Sequence, residues 1–191
     1  MCAVQADAAL VTVPGLPYPL APKGMQWIGS VTPGSRNVTL YGTADNILSQ
    51  LDNLKLIPEE RWPLTTEAEE RSMLPNTTGY AKRSYSWTQA GVDCNNAIRT
   101  AGPWQALEVI HAIVRLPGQC GSPPRTCTLM NSNNCAGIYF CNTPNGDTGA
   151  SCLGVGLAGA AIMSCMNRLY DGVKGTAIDD RGWDVIVQSV C

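Results

Sequence analysis

The distribution of cysteine constrains this chain more than any other feature of its sequence. The chain has nine cysteines, and all but Cys2 lie between residues 94 and 191, whereas residues 3–93 contain none. Cysteines placed at random would avoid the first stretch in fewer than about 1% of cases. An even number concentrated in one part of a chain is typical of a disulfide framework. The sequence therefore predicts a disulfide-stabilised C-terminal domain, with Cys2 left over.

We expect eight cysteines to pair with one another: Cys94, Cys120, Cys127, Cys135, Cys141, Cys152, Cys165 and Cys191. Eight cysteines allow roughly a hundred connectivities, and their spacing selects none of them. The sequence has no Cys-x-x-Cys motif and a single histidine, His111, so a Cys/His zinc site lacks ligands. We therefore expect no metal and no cofactor.

The cellular compartment follows from the same cysteines. Residues 1–7 lack the basic start and unbroken apolar stretch of a signal peptide. The protein is therefore either cytosolic or one whose leader has been removed, and the cysteines favour the second alternative. Disulfides persist in oxidising environments, so we predict a secreted, extracellular protein. Acceptor motifs for N-glycosylation at Asn37 and Asn76 agree with secretion.

One dibasic pair divides the chain. Lys82-Arg83 is the only pair of adjacent basic residues, and it follows the polar stretch 75–79. It matches the cleavage signal of kexin-type processing proteases of the secretory pathway, although an ordinary loop dipeptide is the alternative. In either case the pair predicts a boundary. Residues 1–83 are expected to form a proline-rich lobe or pro-segment, and residues 84–191 a cysteine-rich α/β domain.

The charge balance argues against binding to nucleic acid, and the composition of the one long uncharged stretch argues against a membrane span. The chain has 13 basic and 15 acidic residues, a net charge of −2, so it offers no basic footprint for nucleic acid. Residues 148–167 carry no charge and are long enough to cross a bilayer. Glycine and serine dilute this stretch, which favours a buried helix over a membrane span.

The N-terminal part alternates between loops and short elements. Five prolines in the first 35 residues preclude long regular structure there. A strand is predicted over 37–42 and a helix after Thr43, with apolar residues at helical spacing from Ala44 to Leu54. A second helix is predicted over 66–73.

The C-terminal part mixes helices and strands. Helices are predicted over 92–99, 103–114 and 149–169, and strands over 125–130, 137–141 and 182–190. The second helix is expected to bury a face made of Trp104, Leu107, Ile110 and Val114. Helices on an antiparallel sheet predict an α+β fold, a two-layer α/β sandwich stabilised by disulfides and preceded by the proline-rich N-terminal lobe.

Two features resemble catalytic motifs but fit structural roles better. Gly154–Gly159 matches G-x-G-x-x-G and Asp179 follows at the spacing of a dinucleotide fingerprint, but no apolar strand runs into Gly154. The small residues are expected to let a helix pack closely. His111 lies on or beside the apolar face of a predicted helix and is expected to be structural or exposed.

The most polar cluster of the second half is Asp179, Asp180, Arg181 and Trp183, which we single out as candidate binding residues. Adjacent carboxylates on a strand point to opposite faces, so Asp179 and Asp180 alone do not form an acid/base pair. The simplest interpretation is a charged turn that leads into an edge strand. A small extracellular hydrolase that uses these carboxylates is an alternative.

A third hypothesis is a carbohydrate-binding protein of the cell wall. Trp87, Trp104 or Trp183 would then form a stacking platform for sugars. The chain has a single phenylalanine, so core packing is the simpler role for its tryptophans.

Three segments resemble small secreted cysteine-rich fungal proteins of the effector type. They are Cys135-Ala-Gly-Ile-Tyr-Phe-Cys-Asn142, the helix from Cys152 to Cys165, and Gly175-Thr-Ala-Ile-Asp-Asp-Arg-Gly-Trp-Asp-Val-Ile-Val187 with the final Cys191, about the last 60 residues. A looser resemblance extends to killer-toxin-like secreted proteins, whose fold is a two-layer α/β sandwich. The cysteine spacing and the long N-terminal half depart from that pattern.

The resemblance implies an extracellular role at a host or competitor surface, commonly as an effector of a plant-associated fungus. It supplies no catalytic residues. We therefore expect an effector- or toxin-like protein that acts by binding an extracellular protein, channel or glycan, with processing at Lys82-Arg83. Neither nucleic acid nor a membrane span is expected.

Overall fold

The strands of this protein form two antiparallel sheets. The computed structural model describes residues 11–30, 36–53, 89–95, 99–143, 149–166 and 171–191. Its strands are β1 (Met25–Ser30), β2 (Asn37–Gly42), β3 (Gln89–Asp93), β4 (Gln119–Gly121), β5 (Thr126–Asn133), β6 (Ala136–Asn142), β7 (Gly149–Ser151), β8 (Gly175–Asp179) and β9 (Trp183–Ser189). The helices are α1 (Ala44–Asn53), α2 (Pro103–Val114) and α3 (Cys152–Ile162), and a 3₁₀ turn follows α3 (Met163–Cys165).

The larger sheet has five strands in the order β3-β8-β9-β6-β5. Every residue of β6 is buried, as expected for an inner strand rich in aromatic and β-branched residues. Helices α2 and α3 pack on one face of this sheet. The other face carries Tyr139 and Ile186, which are covered by Leu16, Tyr18 and Leu20 of the N-terminal segment. Both faces of the larger sheet are therefore largely shielded from water.

The smaller sheet has four strands in the order β2-β1-β4-β7 and joins the two parts of the chain. Its central pairing sets Trp27 of β1 opposite Cys120 of β4. Trp27 and Ile47 of α1 are fully buried in the same hydrophobic core as Ile110 and Val185. Described residues from both parts of the chain therefore share the main hydrophobic core, and a separate N-terminal lobe is not seen among them.

Four disulfides cross-link the elements of the C-terminal part. They join Cys94 to Cys165, Cys120 to Cys152, Cys127 to Cys141, and Cys135 to Cys191. The second ties β4 to the start of α3, and the third links directly opposed residues of β5 and β6. The prediction of an α+β, disulfide-stabilised protein is confirmed, with two antiparallel sheets in place of one. Cys2 lies outside the described residues.

Some predicted elements are confirmed and others are wrong. The strand over 37–42 and the helix over 103–114 have the predicted bounds. The helix predicted over 92–99 is wrong at its start, because residues 89–93 pair with β8 at the edge of the larger sheet. The helix predicted from Gly149 begins at Cys152, because residues 149–151 pair with β4. Ser151 then caps α3 by accepting a hydrogen bond from the N–H of Gly154 at 3.0 Å.

Two further predictions about the C-terminal part need correction. Strand β9 is not an edge strand, because it lies between β8 and β6, and the segment before it forms β8. The buried residues of α2 are Ala106, Val109, Ile110, Ala112 and Ile113, so Ile110 is the only member of the predicted face that is fully buried. Trp104 is 75% exposed because it lies in the first turn of α2 on the side facing solvent.

Several predictions fall outside the described residues. These are the helix over 66–73, the glycosylation site Asn76, the processing site Lys82-Arg83, and Trp87. The domain boundary after residue 83 stays a prediction for the same reason.

Candidate binding site

The turn between β8 and β9 contains the charged cluster that the sequence singles out. The side chain of Asp179 is inaccessible to solvent. Its carboxylate accepts hydrogen bonds from Nε and Nη2 of Arg181 at 2.7 and 2.8 Å, and from the Arg181 backbone N–H at 2.9 Å. Such a bidentate pair with an added backbone donor fixes the turn. A carboxylate enclosed in this way has no route to a substrate, so the hydrolase alternative gains no support from Asp179.

Trp183 lies beneath this turn and not on the surface. It is fully buried and stacks on Phe140, with ring centroids 5.5 Å apart. The Arg181 guanidinium covers its ring at 5.2 Å from the centroid, a cation–π contact. The prediction that Trp183 forms a stacking platform for sugars is therefore wrong. Because the chain has one phenylalanine, the ring of Trp183 is needed in the core. The exposed members of the cluster are Asp180 and Arg181.

The carboxylate of Asp184 in β9 interacts electrostatically with that of Asp179. Burial raises the pKa of the Asp184 carboxyl, and the negative charge of Asp179 raises it further. Asp184 lies opposite Ile178 in the β8–β9 pairing, one residue beyond the Asp179–Trp183 pair. Neighbouring β9 residues point to opposite faces of the sheet, which separates the side chain of Asp184 from that of Trp183. The shifted pKa is thus a consequence of packing a carboxyl group on a largely covered sheet.

The other candidates from the sequence have structural positions. Gly156 faces α2, where a Cβ atom would lie 2.4 Å from Cγ2 of Val114, and Gly159 faces Ile138 of β6. The glycine motif thus permits close helix packing, in line with the structural interpretation. His111 is exposed on α2, and Asn37 is exposed on β2.

A surface that the sequence did not reveal lies on the outer face of the smaller sheet. The inner face carries Trp27 and its neighbours, so the alternate residues of each strand point outwards. The strand register sets Tyr41 beside Gln26 and Gln26 beside Gly121, which pairs with Gly149. One row across the four strands is therefore Tyr41, Gln26, Gly121 and Gly149. The next row contains Thr39, Ile28 and Gln119.

A groove of about 200 Å³ lies at the end of the first row formed by Gly121 and Gly149, which have no side chains to fill it. It is lined by Gln26, Ile28, Gln119, Cys120, Gly121 and Gly149. None of these lining residues is charged. Neither glutamine amide has a hydrogen-bond partner in the part of the chain that the structure describes. The groove thus offers unpaired donors and acceptors above a floor of backbone.

Short length explains why the sequence did not reveal this groove. Strands β4 and β7 have three residues each, too few for an alternating pattern to be recognised. The only available signal was the apolar-polar-apolar order of Met25, Gln26 and Trp27 in β1, which gives no information on the glycines across the sheet.

Comparison of the chain with protein-family models, with curated proteins and with solved structures finds no match. Among the helices described, none has the length and apolarity needed to cross a membrane. The described residues likewise contain no cluster of three or more His, Cys, Asp or Glu side chains that could hold a metal ion.

Proposed function

We propose that this is a secreted fungal protein of effector or toxin type that acts by binding a host or competitor target. The observation that carries the proposal is the set of four disulfides, each of which joins separate elements or opposed strands. Cross-links of this density are typical of secreted proteins, because the cytosol keeps thiols reduced. They are compatible with an extracellular location.

The positions of the segments that resemble fungal secreted proteins also support the proposal. These segments form β6, α3 and the β8–β9 hairpin. Strand β6 pairs with β9, and α3 packs on the sheet that contains them. The arrangement of α2 and α3 on one face of this sheet agrees with the two-layer sandwich that the looser resemblance implies.

Processing at Lys82-Arg83 is part of this proposal, with both pieces retained. Strand β1 precedes the dibasic pair and β4 follows it, and the two strands are hydrogen-bonded neighbours. Trp27 is fully buried in the shared core. Release of residues 1–83 would expose this apolar surface to water, so cleavage would yield a two-chain protein held by the smaller sheet.

The test applies folded, fluorescently labelled protein to plant leaf cells and to cells of a competing fungus. We expect saturable binding to the surface of one of these cell types, followed by cell death or growth arrest. Protein that has been reduced and alkylated is the matched control, and it should neither bind nor act. Absence of saturable binding to both cell types would contradict the proposal.

A further inference from the structure

The outer face of the smaller sheet has the chemistry of a ligand site. Gln26 lies opposite Gly121 and Gln119 lies opposite Ile28, so the two glutamines are diagonal neighbours on adjacent strands. Diagonal positions are roughly 7–8 Å apart. The two amide groups can therefore contact one ligand ring placed over Gly121, which neighbours both glutamines.

Hydrogen bonding narrows the class of ligand. A glutamine amide offers two donors and one acceptor oxygen. A hydroxyl group donates and accepts at once, so a ligand with several adjacent hydroxyl groups can satisfy both glutamines. The amides have no partner among the described residues, which leaves these groups available to a ligand.

Charge narrows the class further. The groove lining consists of amide and aliphatic side chains, two glycines and the backbone of Cys120, with no ionisable side chain. A charged ligand would lose water there without gaining an opposite charge, which is costly. A neutral ligand pays no such cost.

Apolar contacts complete the site. The half-buried side chain of Ile28 lines the groove, and Tyr41, which is 44% exposed, continues the row at its open end. Lys23 places its ammonium group 5.5 Å from the centre of the Tyr41 ring, beyond the groove lining. Pyranose sugars combine hydroxyl groups with an apolar C–H face, and they match this mixture of amide and apolar contacts.

A disulfide and a backbone hydrogen bond fix the floor of the groove in the absence of a ligand. Cys120 in the floor is bonded to Cys152, and the N–H of Cys152 donates a hydrogen bond to the carbonyl of Gly118 at 3.1 Å. A fixed floor lowers the ordering cost of binding. We propose that this groove binds a neutral oligosaccharide through the amides of Gln26 and Gln119, an inference that rests on the proposed binding function and names its ligand class.

The saccharide has two conceivable sources, a cell-wall glycan and the protein's own N-glycan. Asn37 precedes Thr39 and Tyr41 on the same exposed side of β2, so a glycan attached there would project from the groove's face of the sheet. The unglycosylated protein and a glycosylated form are therefore compared. Binding of free sugar by both forms indicates an external glycan, and binding by the unglycosylated form alone indicates the Asn37 glycan.

The experiment is a titration of the full chain with neutral hexasaccharides of β-1,3-linked glucose, β-1,4-linked N-acetylglucosamine and α-linked mannose. NMR follows the side-chain amide signals of Gln26 and Gln119. We expect at least one sugar to shift both signals, and Gln26→Leu or Gln119→Leu to weaken its binding about tenfold each. Gln105→Leu, the matched change on α2, should leave affinity unchanged.

Three results would overturn the inference. They are the absence of shifts with every sugar, affinity that is unchanged in both groove variants, and binding of a neutral extended hexapeptide in place of any sugar. Thermal unfolding of each variant shows that its fold is intact. Cell binding by the wild-type protein without sugar binding would remove this inference and leave the proposed function standing. Sugar binding without saturable binding to either cell type would instead contradict the proposed function.

Discussion

The indole N–H of Trp27 donates a hydrogen bond to the carbonyl of Pro117, 90 residues further along the chain. Trp27 lies before the dibasic pair and Pro117 after it, and the indole is fully buried. This contact joins the two parts of the chain at the smaller sheet. Because the contact spans the dibasic pair, it should help to hold the two parts together after cleavage, which can be tested directly.

Cleavage at Lys82-Arg83 should therefore leave the two pieces together. After treatment with a kexin-type protease, size-exclusion chromatography under native conditions should show one species of unchanged mass. Trp27→Ala removes the largest buried side chain of β1 and should cost about 3–5 kcal/mol of the free energy of unfolding, so the cleaved pieces of this variant should separate. Trp104→Ala changes an exposed indole and serves as the control. Separation of the cleaved wild-type pieces would show that the smaller sheet does not hold them.

The Asp179–Arg181 pair should stabilise the β8–β9 turn. Arg181→Met leaves the Asp179 carboxylate buried without its cation, and because Arg181 is partly exposed the expected loss is about 2 kcal/mol. The double variant Asp179→Asn/Arg181→Met removes the charge as well and should recover most of that loss. Urea unfolding of the single and double variants measures the coupling. Arg115→Met, an exposed arginine after α2, is the control. Additive losses in the double variant would argue against the ion pair.

The pKa of Asp184 predicts a pH-dependent stability. Its folded-state pKa is raised by burial and by Asp179, so the folded state binds more protons than the unfolded state between the two pKa values. The wild-type protein should lose this stability as the pH rises from the ordinary aspartate pKa through the raised one. Asp184→Asn cannot ionise and should be more stable than wild type at pH 7, with the difference vanishing at low pH. Chemical unfolding of both proteins across this range measures the effect, and a difference that is independent of pH would contradict it.

Close packing of α3 on α2 should make Gly156 intolerant of a side chain. A Cβ atom there would lie 2.4 Å from Cγ2 of Val114 and 3.2 Å from its backbone nitrogen. We expect Gly156→Ala to lower the free energy of unfolding by about 1–3 kcal/mol, since the helices must move apart. Val114→Ala removes the nearest atom, so the double variant should lose less than the sum of the single changes. A gain in stability, as helix propensity alone would give, would show that the helices adjust freely.

The sequence predicted the elements whose patterns are complete within a short stretch. Helix α2 begins at Pro103, a residue favoured in the first turn, and β2 alternates regularly between exposed and half-buried residues. The predicted helix over 92–99 wrongly includes the last two residues of β3, Val92 and Asp93, because their backbone partners lie in β8, far away in the sequence. Long-range pairing of this kind overrides local preference.

The candidate site was harder to predict than the fold. The charged cluster at Asp179 was identified, but the sequence could not show that Arg181 neutralises this carboxylate or that Trp183 lies in the core. The groove depends on Gly121 and Gly149, two residues without side chains on separate short strands. A cavity formed because two glycines become neighbours across a sheet cannot be recognised from a single sequence.

The four disulfides differ in their exposure. Cys120, Cys152, Cys127 and Cys141 are fully buried, and Leu16, Tyr18 and Leu20 pack against the last two. Cys94, Cys135 and Cys191 are exposed. Thiol–disulfide exchange requires the attacking thiolate to reach a sulfur atom. A reductant in the surroundings would therefore open the two peripheral links first. The link between Cys120 and Cys152 in the shared core, and the one between Cys127 and Cys141 beneath the N-terminal segment, would react more slowly and keep β4 joined to α3 and β5 joined to β6.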